Sequence, residues 1–281
     1  MNDSQPPSCE LRRLFAGGAA DHLDRSTLLP PGRLIGSDEG GDATPVMWMS
    51  EGPAPAGLWE KLRHEHAGCG LWPLLLAPLG DEPDFRPWGS QELYPQQMSS
   101  PGRHDAAALL RGWWRRAATD PTDDPQDAQE RQAMLAPLGP AWPGLAPSPA
   151  LEEDPDTLAD TTAARLLRHR PELRIGLVRA DSGAEALAAC GWSGPCNHDE
   201  TGTIAAVLRS WEQRFGTRVV KVGFDTLHLS VAAPPTDLDE ALLVAAEHVA
   251  LCPDIVFQGT ESLTDYAQEL IDEDCWSFWW D

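Results

Sequence analysis

Between residues 201 and 216 the apolar side chains recur at helical spacing. Ile204, Val207, Leu208, Trp211 and Phe215 stand at i, i+3, i+4, i+7 and i+11, and Gly216 follows where a helix closes in a left-handed turn. This is the clearest helix in the chain. Val219–Val222 and Leu227–Val231 flank Gly223-Phe-Asp-Thr226 and predict a β-hairpin. Leu173, Ile175 and Leu177 alternate as a strand, and a helix over Leu158–His169 stops before Pro171. Ser182 caps a short helix through Cys190, closed by Gly191. Thr236 is the expected cap of a helix whose apolar face is Leu238, Leu242, Ala245, Val249 and Cys252, with Asp239 favoured near its positive end. A last helix covers Tyr266–Ile271, and Cys275–Trp280 is an aromatic strand. The order β-α-α-β-β-α-α-β contains a hairpin, which predicts an α+β fold: a mixed or largely antiparallel sheet with helices packed on it.

Upstream, the two prolines within residues 28–35 suit a short edge strand. Val46–Met49 is a second strand, Gly57–Ala67 a helix ended by Gly68, Leu71–Leu79 a buried strand, and Asp105–Ala118 a helix bearing Leu109, Leu110, Trp113 and Trp114. Residues 1–24 read as a polar tail with a short helix near Leu11–Phe15. Residues 119–156 hold eight prolines, nine acidic residues and one arginine, a composition too poor in apolar surface to offset ordering entropy. The expected organisation is a tail at 1–24, an N-terminal α/β lobe at 25–118, an acidic Pro-rich linker at 119–156 and a C-terminal α+β domain at 157–281. The Trp142–Leu145 patch within the linker is expected to dock on a domain surface.

Charge narrows the partners. Twenty-one basic against 44 acidic residues leave −23, which repels nucleic acid and anionic lipid and suits a basic protein partner. The most apolar run, Leu71–Leu79, is too short to cross a membrane. The opening residues hold no apolar core of signal-peptide length, so the six cysteines, scattered and without a CxxC pair, are expected as reduced thiols in the cytoplasm. Only Lys61 and Lys221 are lysines; with abundant Ala, Gly and Pro, that bias suggests a GC-rich bacterial source.

Several uncommon residues recur in a fixed order: Gly191-Trp-Ser-Gly194 with Asn197, Trp211-Glu-Gln-Arg-Phe-Gly216, Ala246-Glu-His248, Cys252-Pro-Asp-Ile-Val256 with Gln258-Gly259, and Trp276-Ser-Phe-Trp-Trp-Asp281. In these the stretch from about 172 to 281 resembles an uncharacterised bacterial family, common in actinobacteria, known as domain of unknown function 4253. The resemblance implies a shared fold and no assigned activity or cofactor.

Four constellations carry candidate chemistry. Cys196 and His198, with His248 and Cys252 at i, i+4 on one helix, supply the soft donors of a tetrahedral zinc site. The plainer reading makes Cys252 a small core residue, since it shares a face with Ala245 and Val249. Cys252-Pro253 also suits a thiol at the start of a new helical turn, where a thiolate is stabilised, with His228 or His248 as base. If Cys252 instead ends the preceding helix, the dipole opposes that thiolate. Glu247 and Asp254 read as a general acid/base pair or a divalent-ion site, against a solvated helix face as the plain alternative. Trp276, Phe278 and Trp280 share one strand face, either as a stacking platform or as part of a strand buried on both sides. His64 and His66 point to different faces of their helix. No phosphate loop, nucleophile elbow or HExxH is present.

Two functions follow as expectations. The leading one is a non-catalytic interaction or regulatory module, to be marked by an apolar patch rimmed with carboxylates. The alternative is a small hydrolase using Asn197, Glu247, His248, Cys252 and Asp254, which requires at least three of them to converge in one pocket.

Overall fold

The computed structural model describes residues 29–39, 45–80, 84–119, 124–151, 153–260 and 262–281. The expected tail at 1–24, with its helix near Leu11–Phe15, lies outside them. Seven strands form one open sheet: β1 (Gly32–Ile35), β2 (Met47–Ser50), β3 (Leu71–Leu76), β4 (Arg174–Arg179), β5 (Arg218–Val222), β6 (Thr226–Ser230) and β7 (Cys275–Trp279), in the spatial order β1-β2-β4-β3-β5-β6-β7. Every neighbouring pair is antiparallel except β3 and β5. The fold is thus α+β with a mixed, mostly antiparallel sheet.

Strands from both sides of residues 119–156 interleave, with β4 seated between β2 and β3. The expected division into lobes therefore does not extend to the sheet. β3 is an inner strand despite Pro73. It pairs with β4 along its whole length, and with β5 only at Leu75 and Leu76, so Pro73 has a hydrogen-bonding neighbour on one side alone.

Helices cover both faces. α1 (Leu58–Cys69) and α4 (Pro155–His169) pack on one, closing a smaller core around Trp48, Trp59, Leu62, Leu71, Leu75 and Ile175. The other face carries α2 (Ala106–Ala118), α5 (Gly183–Cys190), α6 (Thr201–Phe215), α7 (Leu238–Leu251) and α8 (Leu263–Leu270) over the main core. Trp192, Trp211, Phe215, Trp276 and Phe278 are fully buried there. β7 is an edge strand with one buried face: Trp276 and Phe278 point inward while Ser277 is exposed. That corrects the expectation of a strand covered on both sides.

The acidic Pro-rich segment is not loop throughout. Asp124 accepts hydrogen bonds from the N–H groups of Gln126 (2.8 Å) and Asp127 (3.0 Å), and Pro125 occupies the first helical position, so α3 (Pro125–Met134) forms. The cap of α7 is Asp237, not Thr236; Asp237 accepts from Glu240 N–H at 2.9 Å.

Candidate functional site

Residues 140–151 cross the molecule as an extended strap. The Trp142 ring packs on Trp114 with centroids 6.1 Å apart, and Ser148 Oγ donates to Arg214 O at 3.1 Å. Between them lies a buried ionic clamp. Glu247 on α7 has no solvent exposure. Its Oε1 accepts from Ala146 N–H (2.7 Å) and Arg214 Nη1 (2.9 Å); its Oε2 accepts from Trp211 Nε1 (2.7 Å) and Arg214 Nη2 (2.5 Å). Arg214 Nη1 also donates to Ala146 O at 3.0 Å. Both carboxylate oxygens are occupied twice by fixed donors, the arrangement that makes a buried charge tolerable. Four donors thus fix the Glu247 carboxylate in place. The motifs Trp211-Glu-Gln-Arg214 and Ala246-Glu-His248 therefore hold the strap to helices α6 and α7.

His248 sits one residue further, inside an aromatic box. Its ring lies 4.4 Å from Trp276, 4.9 Å from Phe278 and 5.0 Å from Trp211, and Nδ1 is 2.8 Å from Tyr266 Oη. Burial pulls its pKa down to about 3, so the ring is neutral. The other ring nitrogen, Nε2, is buried with no hydrogen-bond partner among the described residues.

Cys252 caps the C-terminal end of α7, its N–H donating to His248 O at 2.7 Å. Its thiol donates to Trp279 O at 2.8 Å, and burial pushes it up to about 12. Cys252 thus both ends α7 and stands just before the helical turn that runs into Ile255–Thr260; the negative end of the α7 dipole and a dry core disfavour a thiolate there. Asn197 Nδ2 donates to Asp281 O at 2.9 Å and fastens the last residue. Asp254 Oδ1 accepts from Gln258 Nε2 at 2.8 Å. Cys196 is exposed, whereas the His198 ring lies 5.0 Å from Trp113, and burial, then Arg116, pull it down to about 4.

The proposed zinc donors thus do not converge. Among the described residues, the one group of three or more such side chains with ligand atoms within 4.8 Å of one another is Glu60, His64 and Asp160. There Arg63 already binds both Asp160 oxygens at 2.6 Å, and its charge opposes a cation. As expected, His64 and His66 part company: His64 lies 3.5 Å from Asp160, and His66 Nε2 meets Ala180 O at 2.8 Å.

An open cleft lies elsewhere, with a volume of about 970 Å³. It runs between the end of α1, the end of β4, helix α5 and the Pro95–Pro101 loop. Pro95, Met98, Pro101 and Ala189 contribute apolar residues to its lining, which also holds the carboxylates Asp181 and Glu185 and a single cation, Arg179. Glu185 pairs with Arg209 at 3.3 Å.

The loop is pinned through Glu200, the N-cap of α6. Glu200 Oε2 accepts from Gly202 N–H (2.6 Å) and Ser99 N–H (3.2 Å), and Oε1 accepts a short bond from Ser99 Oγ. His104 Nε2 contacts the same hydroxyl at 2.5 Å. A Cβ at Gly202 would stand 2.1 Å from Ser99 O, so this approach requires glycine. None of these residues was singled out by the sequence patterns. The available signal was Glu200 ahead of Thr201-Gly-Thr-Ile204, a helix start.

No helix among the described residues is long and apolar enough to cross a membrane. The class is an α+β domain whose uncommon motif residues build a core. Residues 174–281 match the family described as Domain of unknown function (DUF4253), spanning β4 to the last residue, in line with the resemblance carried by the Trp, Glu and Cys motifs. No curated protein and no solved structure matches the chain.

Proposed function

We propose that the protein is a non-catalytic recognition module that takes a basic segment of a partner protein into the 970 Å³ cleft. The observation that carries this reading is the make-up of the cleft lining: apolar residues Pro95, Met98, Pro101 and Ala189 with two carboxylates, Asp181 and Glu185, against one cation, Arg179. A cationic side chain lays its methylenes on such a floor and its charge against the carboxylates. A net charge of −23 steers a basic partner toward the molecule. A reducing cytoplasm suits the five described cysteines, all free thiols.

The test is calorimetric titration with a panel of Arg- and Lys-rich peptides, run at two salt concentrations. Asp181→Lys/Glu185→Lys is expected to abolish salt-sensitive binding while leaving the circular dichroism spectrum unchanged. Equal binding by the charge-reversed protein would remove the cleft from consideration.

One observation favours a second reading, a hydrolase. Ser99 Oγ lies on the cleft wall between His104 Nε2 and Glu200. In that reading Ser99 is the nucleophile and Glu247, His248 and Cys252 are scaffold. A fluorophosphonate probe labelling Ser99, with labelling lost in His104→Ala, is its expected signature.

A further inference from the structure

Lys221 is one of two lysines in the chain, and it is 94% buried, with 6% of its surface exposed. The register of β5 against β6 shifts between Val219 and Lys221, which makes Val220 the extra residue of a bulge. Val219 and Val222 consequently both face the main core, and Lys221 is aimed at the opposite face beside His228, its cross-strand partner. A concavity of about 380 Å³ opens there, lined among others by Lys221, Arg170, His228, Thr226, Asp225 and Phe224.

Among the described residues no hydrogen bond or ion pair reaches the Lys221 amine, so most of the side chain is covered while its nitrogen opens on the concavity without a protein partner. His228 Nδ1 is buried, also without a partner. The charged and titratable groups around Lys221 come from three elements: Arg170 and Glu172 in the turn after α4, His228 on β6 and Cys275 on β7. Asp225 stands in the hairpin turn that closes the concavity. Glu172 engages Arg170 Nε, and no hydrogen bond from the two terminal guanidinium nitrogens is found among the described residues. Glu172 and Asp225 offset the two cations, so a bare anion gains little here. An amine without a carboxylate partner, beside a guanidinium with free N–H groups, suits a carbonyl next to a carboxylate.

We propose that Lys221 is a reactive amine that captures a small 2-oxo acid, with the carbonyl carbon at Nζ and the carboxylate at Arg170. The unprotonated amine attacks the carbonyl carbon, forming the C–N bond, and the nitrogen's proton passes to the carbonyl oxygen. Loss of that hydroxyl as water, with the remaining N–H proton, leaves the neutral imine, which takes a proton from solvent to become the iminium that cyanoborohydride reduces. Desolvation, then Arg170, pull Lys221 down to about 8, so a substantial fraction of the amine is unprotonated near neutral pH.

The full-length chain is incubated with pyruvate and cyanoborohydride at about pH 7.5, and the reduced adducts are mapped by peptide mass spectrometry. Lys61 on α1 is the internal comparison. Lys221 is expected to alkylate on the order of tenfold faster than Lys61, because burial lowers the Lys221 pKa and Arg170 stands ready for the carboxylate. Labelling of Lys221 no faster than Lys61 overturns the proposal. The ratio of pyruvate to propanal labelling, propanal lacking the carboxylate, is expected to be several-fold higher at Lys221 than at Lys61, a comparison that cancels the greater intrinsic reactivity of the aldehyde; equal ratios remove Arg170 from the site. Lys221→Arg is expected to lose the fast adduct and keep that of Lys61. If this variant does not fold, the ratio of the two lysines in the unaltered protein still decides.

Discussion

Replacing Glu247 or Arg214 by methionine tests whether their pairing is the scaffold element described above. In Glu247→Met the partly buried Arg214 guanidinium loses its counter-charge, and the N–H groups of Ala146 and Trp211 lose their acceptor. Breaking one side of a buried ion pair costs about 3–5 kcal/mol. Arg214→Met leaves the fully buried Glu247 carboxylate with two of its four donors and belongs in the same range. In the double variant no charge remains, and the residual penalty is two orphaned N–H groups at roughly 1–3 kcal/mol each. The double is therefore expected to cost about as much as either single, a coupling of about 3 kcal/mol. Each single should lower the melting temperature by about 6–20 °C at roughly 2–4 °C per kcal/mol. Urea unfolding followed by tryptophan fluorescence gives the cycle. Hydrogen exchange at Ala146 N–H adds a local readout, since this amide should exchange much faster in Glu247→Met. Additive costs, or singles below about 1 kcal/mol, would refute the reasoning.

Three further outcomes follow from burial and packing. Burial holds His198, His228 and His248 at about 4, 4 and 3, while unfolded histidine titrates near 6.5. The unfolded chain then binds more protons below pH 6.5, so stability is full above that pH and is lost as pH falls toward 4. A flat urea midpoint between pH 7 and 5 would contradict it. Cys196 is exposed, and Cys190 and Cys252 are pushed up to about 12. A disulfide reagent should therefore modify Cys196 in the native state and reach the other two only on unfolding; native labelling of Cys252 would show that its core is not sealed. Gly202→Ala forces a methyl to 2.1 Å from Ser99 O. It should displace the 95–101 loop and lower stability by about 1–3 kcal/mol, measured by urea unfolding, and an unchanged midpoint would count against the contact.

The C-terminal elements were legible because local signals agreed there. The 204–215 stripe with Gly216, Ser182 before α5 and the hairpin at 223–226 each combine periodicity with a matching terminator. The insertion of β4 between β2 and β3 was not legible, because strand order rests on contacts far apart in sequence that periodicity does not encode. α3 was missed where average composition outweighed one Asp-Pro cap at 124–125. The site residues were read by their chemical type, which marks Glu247, His248 and Cys252 equally well for catalysis or for a buried network. Only the partners distinguish the two: four donors on Glu247, aromatic walls on His248, a carbonyl on Cys252. Lys221 drew no attention because a lysine on a strand reads as surface, and the bulge that turns it inward leaves no mark in Arg218–Val222.

The central claim is that recognition belongs to the open cleft and the motif residues belong to the scaffold. Its most direct test is a hydrogen-exchange footprint of the full chain with a tight-binding cationic peptide. The account predicts protection concentrated at residues 95–101 and 179–189, with exchange around Glu247 and His248 unchanged. Protection centred on the strap at 143–151 or on α7, with the cleft unaffected, would contradict it.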